Sequence, residues 1–124
     1  MRERGSAVVD FVLVMVLLVP LVLGIAQVAL VLHVRNTISA AASEGARAAA
    51  PVGATPGDGV ARTRRVITQA LDDRYADDVS ASDTTIGGLP GIVVEVRAEV
   101  PALGLMGPSV SLSVSGHAVR DIEP

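Results

Sequence analysis

The chain opens on one long apolar block and closes on two alternating ones. From Phe11 to Leu32 no residue carries a charge; the 22 positions read FVLVMVLLVPLVLGIAQVALVL. As a helix rising about 1.5 Å per residue they cover about 33 Å, enough for a hydrocarbon core of about 30 Å. Pro20, Gly24 and Gln27 interrupt the block mildly, and membrane helices tolerate such residues because neighbouring groups re-satisfy the freed backbone. A chain of 124 residues cannot enclose a helix that is apolar on every side, so the pattern predicts a membrane span rather than a core helix. A cleaved secretory signal fits less well. Its apolar core is usually about 7–15 residues, and Gln27 to Arg35 offers no A-x-A cleavage site.

Beyond the block, His33 to Ala50 is rich in Ala, the best helix former. Val34, Ile38, Ala41, Ala42, Gly45 and Ala49 recur on one helical face. The span is therefore expected to run on without a break, as a rod of about 40 residues and about 60 Å. Its small-residue face suits close packing, either on the chain's own domain or on another subunit. Pro51 to Gly59 holds two Pro and three Gly and reads as an exposed linker. A second helix is expected from Val60 to Ala76, with Asp58 as its cap and Val60, Ile67, Leu71 and Tyr75 as its apolar stripe.

Gly91–Val100 and Ser109–Ala118 alternate apolar with polar residues and predict two half-buried strands, joined closely enough to pair antiparallel. A third short strand is placed around Thr84–Ile86. Leu103, Leu105 and Met106 form an apolar tip in the link between the main strands, for a partner or for the chain's own helix. The fold class is α+β: a long N-terminal transmembrane helix continuing into an extracytoplasmic helix, then a small head with one helix and a two- or three-stranded antiparallel sheet. The divisions are 1–5 as a leader, 6–50 as the membrane helix and its extension, 51–59 as a linker and 60–124 as the head. A head of this size is marginal alone, so the rod or a partner subunit is expected to cover its apolar surface.

Composition narrows the function. Phe11 and Tyr75 are the only aromatic residues, which leaves little bulk for an enclosed pocket and argues against an enzyme. There is no cysteine, so disulfides and thiolate metal sites are excluded. The net charge is -3 and all ten positive charges are Arg, giving no basic field for nucleic acid. Arg62, Arg64 and Arg65 form one basic cluster, without the flanking aromatics a nucleic-acid site uses. Asp72, Asp73, Asp77, Asp78 and Asp83 suggest calcium but do not follow the D-x-D-x-D-G loop. His33 and His117 lie far apart in sequence, and neither a phosphate-loop ending nor a G-x-S-x-G elbow occurs. No catalytic residue, cofactor or metal is expected.

The informative residue is Asp10, an acid at the entrance of the span. An ionised acid at the bilayer centre costs about 2.5–3.5 kcal/mol on insertion scales, and less near the interface. Taken alone, it reads equally well as an interfacial acid favoured by the helix dipole. Its context is RERGSAVVDF: a charged leader, Gly5, then an acid five residues later, then the apolar helix. This resembles the class III signal of type IV pilins and pseudopilins. The stretch from Arg4 through Gly24, with Asp10-Phe11, Pro20 and Gly24, together with the Ala-rich EGARAAA run, resembles the TadE-like family of Tad (Flp) pilus assembly proteins. The likeness covers the first 50 residues best.

That resemblance implies cleavage between Gly5 and Ser6 by a prepilin peptidase, with the apolar helix, marked by Phe11, Pro20, Gly24 and Leu32, retained in membrane lipid. It implies that Asp10 meets the new amine of Ser6, often that of a neighbouring subunit. Most members carry Glu at this position, and Asp is shorter. The implied function is that of a minor pilin or pseudopilin taking part in assembly of a Tad type IV pilus or related secretion apparatus. Its partners are other pilin-like subunits and the assembly machinery. Arg2 and Arg4 before the span, against Arg35 just after it, favour a single pass of the cytoplasmic membrane with the N-terminus inside and the head outside. The rival readings are an uncleaved, signal-anchored extracytoplasmic binding protein and an accessory subunit bound through the rod.

Overall fold

The computed structural model describes residues 2–102 and 109–121. One helix, α1 (Arg2–Ala49), accounts for 48 residues and therefore rises about 72 Å. It passes through Pro20 without ending, although the missing N–H of Pro20 leaves the carbonyl of Val16 without its helical donor. Pro51, which restricts the residue before it to extended conformations, follows its last turn.

The second helix, α2 (Pro56–Ala70), starts earlier than expected, inside the stretch read as a linker. Thr55 rather than Asp58 is its cap. The Thr55 hydroxyl accepts from the Asp58 N–H at 3.3 Å and the Asp58 carboxylate accepts from the Thr55 N–H at 2.8 Å. Pro56 occupies the start of the helix, where a backbone donor is not needed. α2 also ends earlier, at Ala70. The Asp72 side chain accepts from the N–H of Arg74 at 3.1 Å and opens a separate 3-10 turn, Asp73–Ala76, that buries Tyr75.

Three strands follow: β1 (Asp78–Ile86), β2 (Leu89–Val100) and β3 (Val110–Val119), antiparallel neighbours in the order β1-β2-β3. The first is a full strand, three times the length expected. Ile86 pairs with Leu89 across Gly87-Gly88, whose φ values of 57° and 83° suit the tight right-twisted turn of a two-residue hairpin. Leu103, Leu105 and Met106 lie outside the described residues.

One face of the sheet presents Val79, Ile92, Val94, Val96, Val100 and Val114 to the helices. The other carries Ser80, Glu95, Arg97, Ser113, Ser115 and His117 to solvent or its margin. The face of α1 foreseen from the sequence is buried in full: Val34, Ile38, Ala41, Ala42 and Ala49 are inaccessible, and Gly45 is buried with them. They lie against the chain's own head, so the upper half of the rod supplies one wall of the core. Of the expected stripe on α2, Ile67 is fully buried, Val60 and Leu71 are half-buried, and Thr63 is buried where no apolar residue marked the position.

Contact between α1 and its neighbours is backbone-close at two places. A Cβ on Gly45 would land on the Thr63 hydroxyl and 2.7 Å from the Gly59 carbonyl oxygen. A Cβ on Gly116 of β3 would land on the backbone of Ala42 and Ser43. β3 runs almost parallel to α1. The Gln27 amide donates to the Pro101 carbonyl at 3.2 Å near one end, and the Asp121 N–H donates to the Ala50 carbonyl at 2.9 Å at the other. The 23 helical steps between Gln27 and Ala50 rise about 35 Å, and eleven strand steps from Val110 to Asp121 rise about 36 Å.

Candidate functional site

Gly5, Ser6, Asp10, Phe11, Pro20 and Gly24 lie on the half of α1 that the head does not touch, and Leu32 lies level with the lower head. From Glu3 to Ala26 every side chain is exposed except Met15, which is half-buried. Leu17 is 76% exposed and Val8 61%. α1 is continuous through this half, so the polar residues at its start are held in regular helical register rather than in a loop. Gly5 and Ser6 are in the second turn, and nothing lies within 4 Å of where a Gly5 Cβ would be. Asp10 is exposed, and among the described residues it takes part in no ion pair. Ser6 and Asp10 are four residues apart, hence on the same face and about 6 Å apart along the axis.

Higher up, Pro20, Gly24 and Leu32 share one face with Val28 and line a shallow apolar channel, its floor opened by the missing side chain of Gly24. Phe11, about two and a half turns below Pro20, lies outside it. Leu30, Val31 and Val34 turn toward the head while Leu32 faces away, 52% exposed. Among the described residues α1 is the one helix long and apolar enough to cross a membrane.

The charged clusters have local structural tasks. Arg62 of the basic group pairs with Glu44 and ties α2 to α1, its Nε donating at 3.0 Å; Arg64 and Arg65 point to solvent. Asp72 caps the 3-10 turn, and Asp83 pairs with Arg120 at 2.6 Å. Among the described residues no three His, Asp or Glu side chains come together as metal ligands. His33 and His117 are both exposed, on the rod and on the outer sheet face.

Three arrangements had no counterpart in the sequence reading. Arg120 reaches both Asp83 and the Ala54 carbonyl, the latter at 2.7 Å, and so locks β3, β1 and the α1–α2 connection together. Gln27, read only as an interruption of the apolar block, marks the lower limit of head contact on α1. An open groove of about 670 Å³ lies beside Pro101, at the same end of the sheet, with Arg74, Arg97, Asp77, Asp78 and Glu99 on its walls. A lone Gln in an apolar run was the one signal available for the second; the others depend on pairs distant in sequence.

A protein-family model described as TadE-like protein matches residues 5–47, which begin at Gly5 and end inside the last turns of α1. The match covers 43 of the 124 residues, and over that segment the chain is similar to TadE-like proteins. No curated protein and no solved structure matches the chain.

Proposed function

We propose that this TadE-like chain is a minor pilin or pseudopilin that takes part in assembly of a Tad (Flp) type IV pilus or related secretion apparatus. The observation that carries the reading is the coincidence, at the start of the matched segment, of an unobstructed Gly5-Ser6 bond, an acid one helical turn further on, and a bare apolar helix.

A membrane peptidase cuts after Gly5, where the absent side chain leaves the scissile backbone uncrowded. The product carries a new α-amino group on Ser6, largely protonated at neutral pH since such groups have pKa values of about 8. Asp10, on the same face, offers the opposite charge. An ion pair between them, within one chain or between neighbours, relieves part of the penalty either charge bears at the membrane boundary. The short Asp side chain favours the amine of a closely apposed helix. The peptidase acts from the cytoplasmic side, so the N-terminus is inside and the head outside, and other pilin-like subunits meet this one through the exposed helix.

Intact mass of the protein from membranes, with and without the cognate peptidase, tests the first step. Loss of Met1 to Gly5 only when the peptidase is active is the expected result, and a chain that keeps them beside an active peptidase refutes the reading. Gly5→Ala should reduce leader removal. Asp10→Ala should leave removal intact and impair incorporation of the subunit; normal incorporation would rule out the charge pairing.

A further inference from the structure

α1 leaves no stalk between membrane and head. Below the head it is bare from Glu3 to Ala26, and head contact begins at Gln27 with the hydrogen bond to Pro101, followed by Leu30 and Val31 against the core. From Ala7 to Ala26 there are 20 residues, 19 of them uncharged and Asp10 within the first turn, and they cover about 30 Å, which the hydrocarbon core uses in full. The first residue past the core is then the one already bonded to the head. On the side facing away from the head the helix stays apolar for longer, through Val28, Ala29 and Leu32, before His33, Arg35 and Asn36. That apolar margin is about 8 Å of helix lying level with the lower head, too little for a further span and suited to the headgroup boundary.

The end of the head at this level is the one that holds Pro101, the ends of β2 and β3, and the open groove. Opposite Glu99 in the register is Ser111, on the groove wall. The groove carries two guanidinium groups, Arg74 and Arg97, and three carboxylates, Asp77, Asp78 and Glu99, around Leu112. This mixed charge suits a zwitterionic headgroup layer, where phosphates and amines alternate, better than a strongly anionic one. The far end of the sheet, with Thr85 opposite Pro90, is nine strand steps from Glu99 and therefore about 30 Å away along strands that run beside α1.

We propose that the Pro101 end of the head is seated in the phospholipid headgroup layer of the bilayer that α1 crosses, with the Arg74–Arg97–Glu99 groove turned into that layer and the Gly87-Gly88 hairpin pointing away from it. The seating fixes the tilt and rotation of the head relative to the membrane, because α1 is joined to the head at both ends of the sheet, at Pro101 after β2 and at Asp121 after β3. It rests on the membrane-spanning part of the proposed function, and on neither leader removal nor assembly.

The chain has no native cysteine, so single labels report one position each. Full-length protein in phosphatidylcholine vesicles carries an environment-sensitive fluorophore at Leu17→Cys, Ser111→Cys or Thr85→Cys, all exposed positions. Quenchers are spin labels attached either to the lipid headgroup or deep on the acyl chain. The Leu17 label should be quenched by the deep probe, the Ser111 label several-fold more by the headgroup probe than the Thr85 label, and the Thr85 label scarcely by either. Equal headgroup quenching at Ser111 and Thr85, with Leu17 still quenched from the acyl chain, overturns the seating alone. Loss of deep quenching at Leu17 overturns the span and the seating with it.

Discussion

At the scale of single residues the head depends on hydrogen atoms standing where side chains cannot. The Thr63 hydroxyl donates to the Gly59 carbonyl at 2.7 Å while filling the space above Gly45. A methyl on Gly45 displaces that hydroxyl and crowds the carbonyl, so Gly45→Ala should cost about 1–3 kcal/mol, the range for overpacking a close contact. The coupling has a sign. Thr63→Ala alone removes the buried hydroxyl and destabilises, but added to Gly45→Ala it relieves the clash, and the pair should cost less than the sum of the two. Thermal unfolding of the four proteins in detergent measures this, and additive midpoint shifts would show that Thr63 is not what Gly45 avoids. None of this was legible beforehand. Gly45 was placed correctly on the buried face of α1, but its partner was a polar residue on another helix, and polarity patterns do not mark a Thr that spends its hydroxyl on its own backbone.

At the scale of elements, legibility followed the contrast between the two faces of each segment. β2 and β3 alternate Val with Glu, Arg or Ser, and the period-two signal placed both within two residues at each end. β1 reads DVSASDTTI, with Val79 as its one buried large apolar residue. Its acids Asp78 and Asp83 group with Asp72, Asp73 and Asp77 as a calcium suggestion, while the Gly87-Gly88 pair that closes the hairpin was the signal left unused. α2 was displaced because Pro56 was read as a breaker rather than as a first helical residue, which hid the reciprocal bonds between Thr55 and Asp58. Those bonds satisfy backbone donors at the start of α2, so Thr55→Ala should lower stability by about 1 kcal/mol. Exchange of the Asp58 amide hydrogen should quicken in the variant. An unchanged exchange rate would mean that the cap is not formed in solution.

At the scale of the whole molecule the rod and the head are one structure from Gln27 upward. Val34, Ile38, Ala41, Ala42, Ala46 and Ala49 are fully buried, and all of them belong to α1. The sequence displayed this face but not its owner, since a stripe of small residues packs equally well against a neighbour; ties to the chain's own sheet at Gln27 and Ala50, about 35 Å apart along the helix, decide for that sheet. The 74 residues from Pro51 onward lack that wall. Burial of Val34 and Ile38 alone is worth about 1.5–3 kcal/mol each, a large share of the 5–15 kcal/mol that holds a typical domain, and so small a remnant has little in reserve. A chain beginning at Gln27 should therefore unfold cooperatively by circular dichroism, whereas one beginning at Pro51 should bind a hydrophobic dye and show no cooperative transition. A sharp transition in the shorter chain would mean that the sheet and α2 close over their own core, and that α1 could then swing free of the head. The opposite outcome makes the part of α1 from Gln27 upward a rigid lever: a force applied to it there passes directly into the sheet, and the head turns with that part of the helix.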